Sequence, residues 1–302
     1  MMADLVCLGE PLVEFNRRAD GLWLEGHGGD VSNTAIAAAR MGARTAILTR
    51  LGADIFGDSL MALWAREGVD ASAVIGDAEA ATGLYFVTHG PDGHHFAYAR
   101  AGSAASRLVP TDLKPEMFNG VRILHVSGIS LAISESARQT VFAAIAMAKK
   151  AGARISFDTN LRLRLWGLDQ ARQVIGEAAA MADIVLPGLD DAVQLTGLID
   201  PDAIASHYLG LGAAIVALTL GKEGVLIATG DRREMIAGHV VAAVDATGAG
   251  DAFDGAFLAC LLEGMTPFEA GRLANAAAAL STLGAGAVAP LPRRAEVEAV
   301  FG

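Results

Sequence analysis

The chain has 302 residues, of which 53% are hydrophobic, and its formal net charge at pH 7 is −11. This length and composition suit one large α/β domain with an extensive core. The negative charge excludes nucleic acid and anionic membranes as general partners, because both require a basic face on the protein. An anionic ligand would therefore need a local cluster of basic side chains.

Neither the N-terminus nor the cysteines indicate secretion. The first ten residues, MMADLVCLGE, contain an acid and lack the basic start of a signal peptide. Cys7 and Cys260 lie in apolar runs and suit buried thiols in a reducing compartment. The uncharged run at 273–292 is long enough to cross a bilayer, but it is rich in Ala and Gly, so we expect an interior helix ending near Gly284. These features predict a cytoplasmic protein with no membrane partner.

Strand-like apolar runs alternate with helical patterns along the chain. In order, these runs are LVCLG from residue 5, TAILTRLG from 45, ILHVSG from 123, ARISFD from 153, DIVLPG from 183 and AIVALTLG from 214. Such alternation is typical of βαβ units and predicts a mostly parallel sheet with helices on both faces. Ligands of such folds bind outside the carboxyl ends of the strands, where this sequence has polar or glycine-rich tips.

Two stretches interrupt this alternation. The stretch GLYFVTHGPDGHHFAYAR alternates apolar and polar residues around a Pro-Asp-Gly turn, which predicts an antiparallel hairpin. Together with PLVEFNRRADGLWLEG it predicts a small separate sheet, with strands at about 11–25 and 82–101, that could cover the ligand crevice as a lid. The sequence has no linker or composition break, so we expect one domain over residues 1–302.

The stretch DATGAGDAFDGAFL, at 245–258, joins a glycine-rich turn to a helix with an apolar face. Because glycines allow positive φ, the N–H groups of Gly248, Ala249 and Gly250 can converge on an anion at the positive end of the helix dipole. Asp251 beside this turn suits phosphoryl transfer, in which a carboxylate accepts the proton of the acceptor hydroxyl. The alternative is that Asp251 only caps the helix.

Two motifs, one near each end of the chain, resemble those of the ribokinase-like (PfkB) carbohydrate kinases. DATGAGDAF resembles the C-terminal signature of that family, and GGDVSNTAIAAARMG, from residue 28, resembles its N-terminal one. The resemblance covers the whole chain and implies a ribokinase-like three-layer α/β sandwich with a mostly parallel central sheet and a small β-sheet lid. It also implies transfer of the γ-phosphoryl group of ATP to a sugar hydroxyl, with Mg²⁺ and a monovalent cation such as K⁺.

Several shorter stretches resemble the branch of this family that phosphorylates a sugar acid, 2-keto-3-deoxygluconate, at its terminal hydroxyl. Among them are GEPLVEFN, FAYARAGSAAS and FDTNLRLRLW. The residues that this resemblance assigns to the sugar are Gly29, Asp30, Asn33, Tyr85, Tyr98, Arg100 and Arg162. Of these, the two arginines are expected to meet the acidic end of the substrate, and the two tyrosines to reach it from the lid.

The resemblance also assigns residues to the nucleotide and to the cations. TLGKEG, at 219–224, resembles the family's nucleotide-binding turn, and ANAAAALSTLGAGAVAPLP, from residue 274, its segment for adenine and a cation. The nucleotide residues implied are Thr219, Gly221, Gly224 and Asn275. The monovalent cation is expected near Asp245 and Thr247 and at carbonyls around 284–286. Asp191 stands where the family commonly has a glutamate that organises magnesium-bound water, and its side chain is shorter.

Several of these assignments have simpler alternatives. Asp30 and Asn33 could only cap the helix that follows them, and the hairpin face with Tyr98 and Arg100 could be an ordinary solvated one. Arg162 and Arg164 are two residues apart in irregular backbone, so spacing does not decide which one faces the substrate. For the whole chain, the alternatives are a kinase for a neutral sugar such as fructose or ribose, and a non-catalytic sensor of sugar or nucleotide. The sequence leaves open whether the chain forms a homo-oligomer.

Overall fold

The computed structural model describes residues 3–90 and 93–301, and this part of the chain forms fourteen strands and ten α-helices. The strands are β1 (Leu5–Leu8), β2 (Leu12–Arg17), β3 (Trp23–Gly28), β4 (Thr45–Leu48), β5 (Arg50–Gly52), β6 (Ile75–Asp77), β7 (Leu84–Gly90), β8 (Gly93–Ala99), β9 (Ile123–Ser127), β10 (Arg154–Asp158), β11 (Ile184–Leu186), β12 (Ile215–Thr219), β13 (Gly224–Thr229) and β14 (Arg233–Ala237). The helices are α1 (Asp30–Arg40), α2 (Ile55–Glu67), α3 (Gly128–Ala132), α4 (Glu135–Lys150), α5 (Leu168–Ala179), α6 (Leu189–Thr196), α7 (Pro201–Gly210), α8 (Ala249–Glu263), α9 (Pro267–Ser281) and α10 (Arg294–Phe301).

The central sheet contains eight of the described strands, in the order β14-β13-β12-β11-β10-β9-β1-β4. The five neighbouring pairs from β12 to β4 are parallel, and the hairpin β12-β13-β14 adds two antiparallel pairs at one edge. The run TAILTRLG divides between two sheets, because β5 leaves the central sheet and pairs with β6. The prediction of a mostly parallel α/β sheet is confirmed, and the edge hairpin β13-β14 was not predicted.

Helices cover both faces of this sheet. Successive strand residues point to opposite faces, so Leu5 and Cys7 of β1 enter a core with α1, α2, α8 and α9, whereas Val6 and Leu8 enter a core with α4, α5 and α7. Each core is maintained mainly by burial of apolar area, worth roughly 25 cal/mol per Å². The result is the expected three-layer sandwich. Among the described helices, none combines the length and the apolar character that crossing a bilayer requires.

A four-stranded sheet, in the order β3-β2-β7-β8, forms the small lid. The pairs β2-β3 and β7-β8 are antiparallel, and β2 and β7 are parallel. Its own core contains Leu12, Tyr85 and Val87, with Phe96 packed against them. Two residues of the predicted Pro-Asp-Gly turn, 91 and 92, lie outside the described residues.

The lid leads directly into helix α1. β3 ends at Gly28, and Gly29 precedes the helix with φ of 93°. A Cβ atom at Gly29 would lie 2.4 Å from the carbonyl oxygen of Glu10. Only glycine fits both the conformation and the space, so the N-terminus of α1 can lie against the chain that leaves β1.

Candidate active site

A cavity of about 690 Å³ lies between the carboxyl ends of the central strands, the N-termini of α1 and α8, and the lid sheet. The predicted site residues that line it are Gly29, Asp30, Asn33, Tyr85, Tyr98, Arg100, Arg162, Asp191, Thr219, Thr247, Gly248, Ala249, Gly250 and Asp251. Gly221 lines an adjoining cavity of about 330 Å³, which shares Gly188, Asp191 and Thr219 with the larger one. Three predicted residues line neither of these two cavities: Gly224, Asp245 and Asn275.

The glycine-rich turn before α8 forms one end of the large cavity. Gly248 precedes the helix with φ of 78°, and a Cβ atom there would lie 3.0 Å from the carbonyl oxygen of Ala287. The N–H group of Ala249 donates to the carbonyl oxygen of Ala246 at 3.2 Å, which is a long hydrogen bond within the turn. The turn therefore presents the positive end of the α8 dipole to the cavity, with the Ala249 N–H partly engaged.

Asp251 is the third residue of α8, and the helix is preceded by Gly248 without any side-chain cap. The simple capping alternative for Asp251 is therefore not what the structure shows. The Nδ2 atom of Asn33 donates to Oδ2 of Asp251 at 2.7 Å. The pKa of Asp251 is raised to about 7, mainly by burial and then by the nearby Asp30 carboxylate, while Asn33 and Arg162 oppose the shift. Near neutral pH, this carboxyl group can both lose and accept a proton.

Asp30 and Asn33 lie in the first turn of α1, and neither caps the helix. Oδ2 of Asp30 accepts a hydrogen bond from Nδ2 of Asn160 at 3.2 Å. Oδ1 of Asp30 and Oδ1 of Asn33 are buried and have no hydrogen-bond partner among the described residues. Buried polar atoms nearly always have partners, so these two oxygens are suited to accept hydrogen bonds from a ligand in the cavity.

Two further aspartates of the cavity wall had no role assigned from the sequence, although the polar strand tip at 158–160 was expected at the crevice. Asp158 ends strand β10, and Asp254 lies one turn beyond Asp251 on the same side of α8. Burial raises the pKa of both groups well above the usual range. The carboxylate of Asp251 raises the pKa of Asp158 further, and that of Asp158 raises the pKa of Asp254. The i, i+3 spacing to Asp251 is the signal that could have identified Asp254.

The two predicted lid tyrosines differ in their environment. Tyr85 is buried, and its hydroxyl donates to Oε2 of Glu14, a residue of the same sheet. The ring of Tyr98 stacks on that of Tyr85 with centroids 6.1 Å apart and is 44% exposed. Tyr98 is therefore partly open to the cavity, whereas Tyr85 is buried and its hydroxyl already has a partner.

Arg100 forms an ion pair with a residue that the sequence did not single out. Its Nη2 atom contacts Oε2 of Glu10, whose side chain is fully buried, while 11% of the Arg100 side chain is exposed. The hydroxyl of Ser103 donates to the other Glu10 oxygen at 2.5 Å. Burial raises the pKa of Glu10, and the charge of Arg100 opposes that shift. Arg100 thus lines the cavity with part of its guanidinium group already paired.

Spacing did not decide which of Arg162 and Arg164 faces the substrate. In the structure, both line the cavity. Arg162 donates to the carbonyl oxygen of Leu161 at 2.8 Å and lies 3.8 Å from a carboxylate oxygen of Asp191, with half of its side chain exposed. Arg164 donates to the carbonyl oxygen of Phe96 at 3.0 Å and thereby connects the loop after β10 to lid strand β8.

The predicted nucleotide residues have unequal positions. Thr219 and Gly221 lie at the small cavity, where Gly188 forms a β-bridge with Thr219. A Cβ atom at Gly224 would lie 2.0 Å from the carbonyl oxygen of Ile236, so this glycine allows the end of β14 to lie close against the start of β13. Asn275 donates to the carbonyl oxygen of Ala237 at 2.8 Å, at the end of β14. Gly224 and Asn275 thus support the edge hairpin next to the small cavity.

Asp245 organises the loops beside the anion turn. Its Oδ1 atom accepts hydrogen bonds from the backbone N–H and the hydroxyl of Thr247, at 2.9 and 2.7 Å. Its Oδ2 atom accepts from the N–H of Gly286 at 2.9 Å, which joins this turn to the loop predicted to supply cation-binding carbonyls. In residues 3–90 and 93–301, no group of three or more His, Cys, Asp or Glu side chains could hold a metal ion by itself.

Known proteins resemble this chain over nearly its whole length. The sequence model of the pfkB family carbohydrate kinases matches residues 2–294. The chain is 37% identical to 2-dehydro-3-deoxygluconokinase of Thermoproteus tenax, across 98% of this chain and 94% of the relative. It is 34% identical to fructokinase-1 of Oryza sativa subsp. japonica, across 97% of this chain and 96% of the relative.

A solved structure shows the same architecture. It is a double mutant of the fructokinase from Vibrio cholerae O395 in a form with bound fructose, ADP and potassium ion. The two structures agree with a TM-score of 0.91 at 30% sequence identity, covering 100% of this chain and 99% of the other. The fold, the family match and the extent of these similarities agree, and the chain belongs to the pfkB family of carbohydrate kinases, with a ribokinase-like fold.

Proposed function

We propose that this sugar kinase transfers the γ-phosphoryl group of ATP to the terminal hydroxyl of 2-keto-3-deoxygluconate, with Asp251 as general base. The observation that carries the proposal is the position of Asp251, in the first turn of α8 inside the cavity, with a pKa of about 7. A base with that pKa is well matched to a reaction at neutral pH. The sugar acid is supported by the T. tenax relative, whose name contains the same compound under its synonym 2-dehydro-3-deoxygluconate.

In this proposal the terminal hydroxyl of the sugar lies against Asp251, which removes its proton as the oxygen attacks the γ-phosphorus. The 2.7 Å hydrogen bond from Asn33 to Oδ2 orients the carboxylate, so the other oxygen can face the hydroxyl. The N–H groups of Gly248, Ala249 and Gly250 stabilise the charge on the transferring group, with Ala249 giving up its long bond to Ala246. Preorganised donors of this kind contribute on the order of 3 kcal/mol each when judged by removal.

We assign sugar binding to both walls of the cavity. The unpartnered oxygens of Asp30 and Asn33 accept hydrogen bonds from sugar hydroxyls, and Gly29 lets the backbone approach closely. Tyr98 and Tyr85 cover the sugar from the lid, Tyr98 with its hydroxyl and Tyr85 with its ring. Arg162 and Arg100 face the acidic end of the substrate. Desolvation in this cavity strengthens such charge-assisted contacts.

We assign the nucleotide to the small cavity beside Thr219 and Gly221, with Gly224 and Asn275 acting through the hairpin that they support. Asp191 lies on the wall shared by both cavities and supplies the oxygen ligand that Mg²⁺ prefers, directly or through water. Bound Mg²⁺ would neutralise charge on the phosphates.

We assign a monovalent cation to Asp245, Thr247 and the carbonyls at 284–286. Asp245 and Thr247 are hydrogen-bonded to each other, and Asp245 also holds the N–H of Gly286, so these groups already lie together beside the anion turn. Carboxylate, hydroxyl and carbonyl oxygens are the ligand types that such cations take. The potassium ion named with the V. cholerae fructokinase supports this assignment.

A kinase for a neutral sugar such as fructose is the second candidate. The similarity to O. sativa fructokinase is almost as high as that to the T. tenax relative. The floor formed by Asp30, Asp158 and Asp254 also offers no positive charge to an anionic ligand. A non-catalytic sensor would need neither the base nor the anion turn.

The test is the turnover of the purified full chain with ATP, Mg²⁺ and K⁺, measured for 2-keto-3-deoxygluconate, fructose and ribose. We expect kcat/KM for the sugar acid to exceed that for either neutral sugar at least tenfold, which corresponds to about 1.4 kcal/mol of transition-state binding. A preference for fructose or ribose would support the second candidate instead. Binding of sugar or ATP without any turnover would support the sensor.

A variant of Arg162 tests whether the substrate's charge is read in the cavity. Arg162→Gln should lower kcat/KM for the sugar acid about tenfold to a hundredfold, because a hydrogen bond to a charged group contributes roughly 1.5–3 kcal/mol. Arg233→Gln is the matched control, since Arg233 pairs with Asp202 on the surface, outside both cavities. Equal losses for the acid and for fructose would show that Arg162 does not read the carboxylate.

A further inference from the structure

The chain segments that connect the lid to the body of the molecule meet at the side chain of Glu10. Glu10 lies between β1 and β2, where the chain first enters the lid, and Arg100 follows β8, where the chain returns. A Cβ atom at Gly83, just before β7, would lie 3.0 Å from Oε1 of Glu10, so the second entry into the lid also passes beside this carboxylate. Ser103 donates to the same oxygen at 2.5 Å.

The contact between Glu10 and Arg100 is a buried ion pair. The Glu10 side chain has no exposed surface, and 11% of the Arg100 side chain is exposed. Arg100 also lies over the ring of Tyr98, with its guanidinium carbon 5.7 Å from the ring centroid. Its contacts with Glu10 and Tyr98 and its burial hold the guanidinium group in place, so it cannot turn away from Glu10 at little cost.

Such a pair has no net charge, and its effect on a ligand differs from that of a single cation. A carboxylate in contact with a guanidinium group cancels most of its attraction for a second anion, because the two opposite charges act from nearly the same place. Arg162 differs, since its guanidinium group lies 3.8 Å from Asp191 and half of its side chain is exposed. The two arginines predicted to meet an acid are therefore not equivalent.

We infer that Glu10 neutralises Arg100, so that Arg100 offers hydrogen bonds but no net positive charge to the substrate, and Glu10 thereby limits the preference of this cavity for anionic sugars. Glu10 is a specificity-determining residue that acts through Arg100 without touching the substrate. The class of substrate on which this inference bears rests on the proposed function. Discrimination of a sugar acid then depends mainly on Arg162.

A matched pair of ligands isolates the effect of charge. 2-Keto-3-deoxygluconate and 3-deoxyfructose differ only at C1, which is a carboxylate in the first and a hydroxymethyl group in the second. The dissociation constant of each ligand is measured by calorimetry on the full chain, and the ratio of the neutral to the acidic constant reports the preference for the anion. Binding is measured rather than turnover, so the ratio is obtained whichever sugar is phosphorylated.

Glu10→Gln keeps the shape of the side chain and an oxygen that can accept from Arg100, while it removes the negative charge. We expect this variant to raise the preference for the acidic ligand about threefold to thirtyfold. This is the size of the Coulomb energy between one buried charge and the ligand carboxylate at an effective dielectric constant of about 20. Glu79→Gln is the control, because Glu79 pairs with Arg107 at 3.1 Å but is 81% exposed. This control should leave the ratio unchanged.

Arg100→Gln provides a second test that does not depend on the folding of the Glu10 variant. Without Arg100, the buried Glu10 carboxyl takes up a proton, so the charge of this wall stays near zero. We expect both ligands to bind more weakly and their ratio to change less than threefold. In the Arg100→Gln background, Glu10→Gln should not change the ratio, because a protonated Glu and a Gln are both neutral.

The outcomes separate the inference from the proposed function. An unchanged ratio in folded Glu10→Gln, or a fall of tenfold or more in Arg100→Gln, would overturn the inference, because either result means that Arg100 acts as a full positive charge. If Glu10→Gln does not fold, as judged by circular dichroism, the Arg100→Gln result decides. The sugar that the unmodified chain phosphorylates decides the proposed function independently of these ratios.

Discussion

The floor and the lid of the large cavity differ in the size of the hydrophobic core that supports them. The floor carries Asp30 and Asp251 on helices α1 and α8, and α8 is packed between α1 and α9 in the large core, with fully buried rings such as Phe253 and Phe257. The lid sheet packs a small core of its own, and residues 22–24 of its first hairpin, which are apolar, are largely exposed. The floor is therefore supported by the large core, whereas the lid reaches that core with few residues and adds only a small core of its own.

Apolar contacts of β2 connect the lid to the body, since Val13 enters the large core and Phe15 packs on Phe56, and polar contacts add to them. Glu10 pairs with Arg100 where the lid joins the body, and Arg164 donates to the carbonyl oxygen of Phe96 on the edge strand. The exposed hydrogen bond of Arg164 can break and form again at little net cost, whereas opening the buried ion pair or a packed core costs much more. The difference indicates that groups which must be preorganised for phosphoryl transfer lie on the floor, and groups that must admit and enclose the sugar lie on the lid.

The largest effect is expected at the floor. Asp251→Asn should lower kcat about 100-fold to 10,000-fold, because an amide of the same size cannot accept the proton of the sugar hydroxyl. Sugar and nucleotide affinity should change little. Glu263→Gln, at the other end of α8 where Glu263 pairs with Arg294, is the control for the helix. A folded Asp251→Asn protein with near-normal kcat would contradict the role of Asp251 as base.

The connection between lid and floor should be sensitive to added volume at Gly29. Gly29→Ala should lower the free energy of unfolding by more than about 3 kcal/mol, since it combines positive φ with a Cβ atom 2.4 Å from the Glu10 carbonyl oxygen. Gly68→Ala, where φ is also positive but nothing lies within 4 Å of the Cβ position, should cost about 1–2 kcal/mol. Urea denaturation measures both free energies of unfolding. Equal losses in the two variants would mean that the close approach at Gly29 does not contribute to stability.

Sugar binding should slow hydrogen exchange in the lid more than in the floor. We expect amides of β7 and β8 to exchange about threefold to tenfold more slowly with saturating sugar, because closure adds contacts to a sheet with little core. Amides of β10, which lies in the middle of the central sheet, should exchange slowly in both states. Equal exchange in β7 and β8 with and without sugar would show that the lid does not respond to the substrate.

The smallest effect is a shift of the pH profile. Asp251 acts as a base only when deprotonated, so kcat/KM should rise with pH through a midpoint near 7 and then level off. The hydrogen bond from Asn33 favours the charged form of Asp251, so Asn33→Ala should move the midpoint to higher pH. The titration of ATP is the same for both proteins, so a midpoint that does not move would indicate that another group controls the profile.

Much of the site follows from local patterns in the sequence. The apolar runs and the turn at 245–251 predict strands, a helix start and an anion-binding end, and α8 does begin at Ala249. The two motifs at opposite ends of the chain come together because Asn33 and Asp251, 218 residues apart, are joined by a hydrogen bond. That these motifs belong to one site was implied by their resemblance to a family, not by spacing.

Other features could not be read from local patterns. The stretch around Glu10 has no hydrophobic period, so the sequence does not show whether this acid is buried or exposed. Its partner Arg100 is 90 residues away. The strand pattern predicts the tip at 158–160 near the crevice, but only the folded chain brings the carboxyl group of Asp158 near Asp251 and Asp254. The roles of Tyr85 and Asn275 likewise depend on partners, Glu14 and the Ala237 carbonyl, that their own neighbourhoods do not indicate.

The sequence by itself therefore determined the layered α/β class, the central strands and the turn that carries Asp251, because hydrophobic period, glycine and helix-start preferences act over a few residues. Only the tertiary structure decided which charges meet: the pairing of Arg100 with Glu10, the approach of Arg162 to Asp191 and the raised pKa of Asp251. The physical reason is range. Burial and Coulomb interactions depend on distances through space, which a chain acquires only when remote segments pack together.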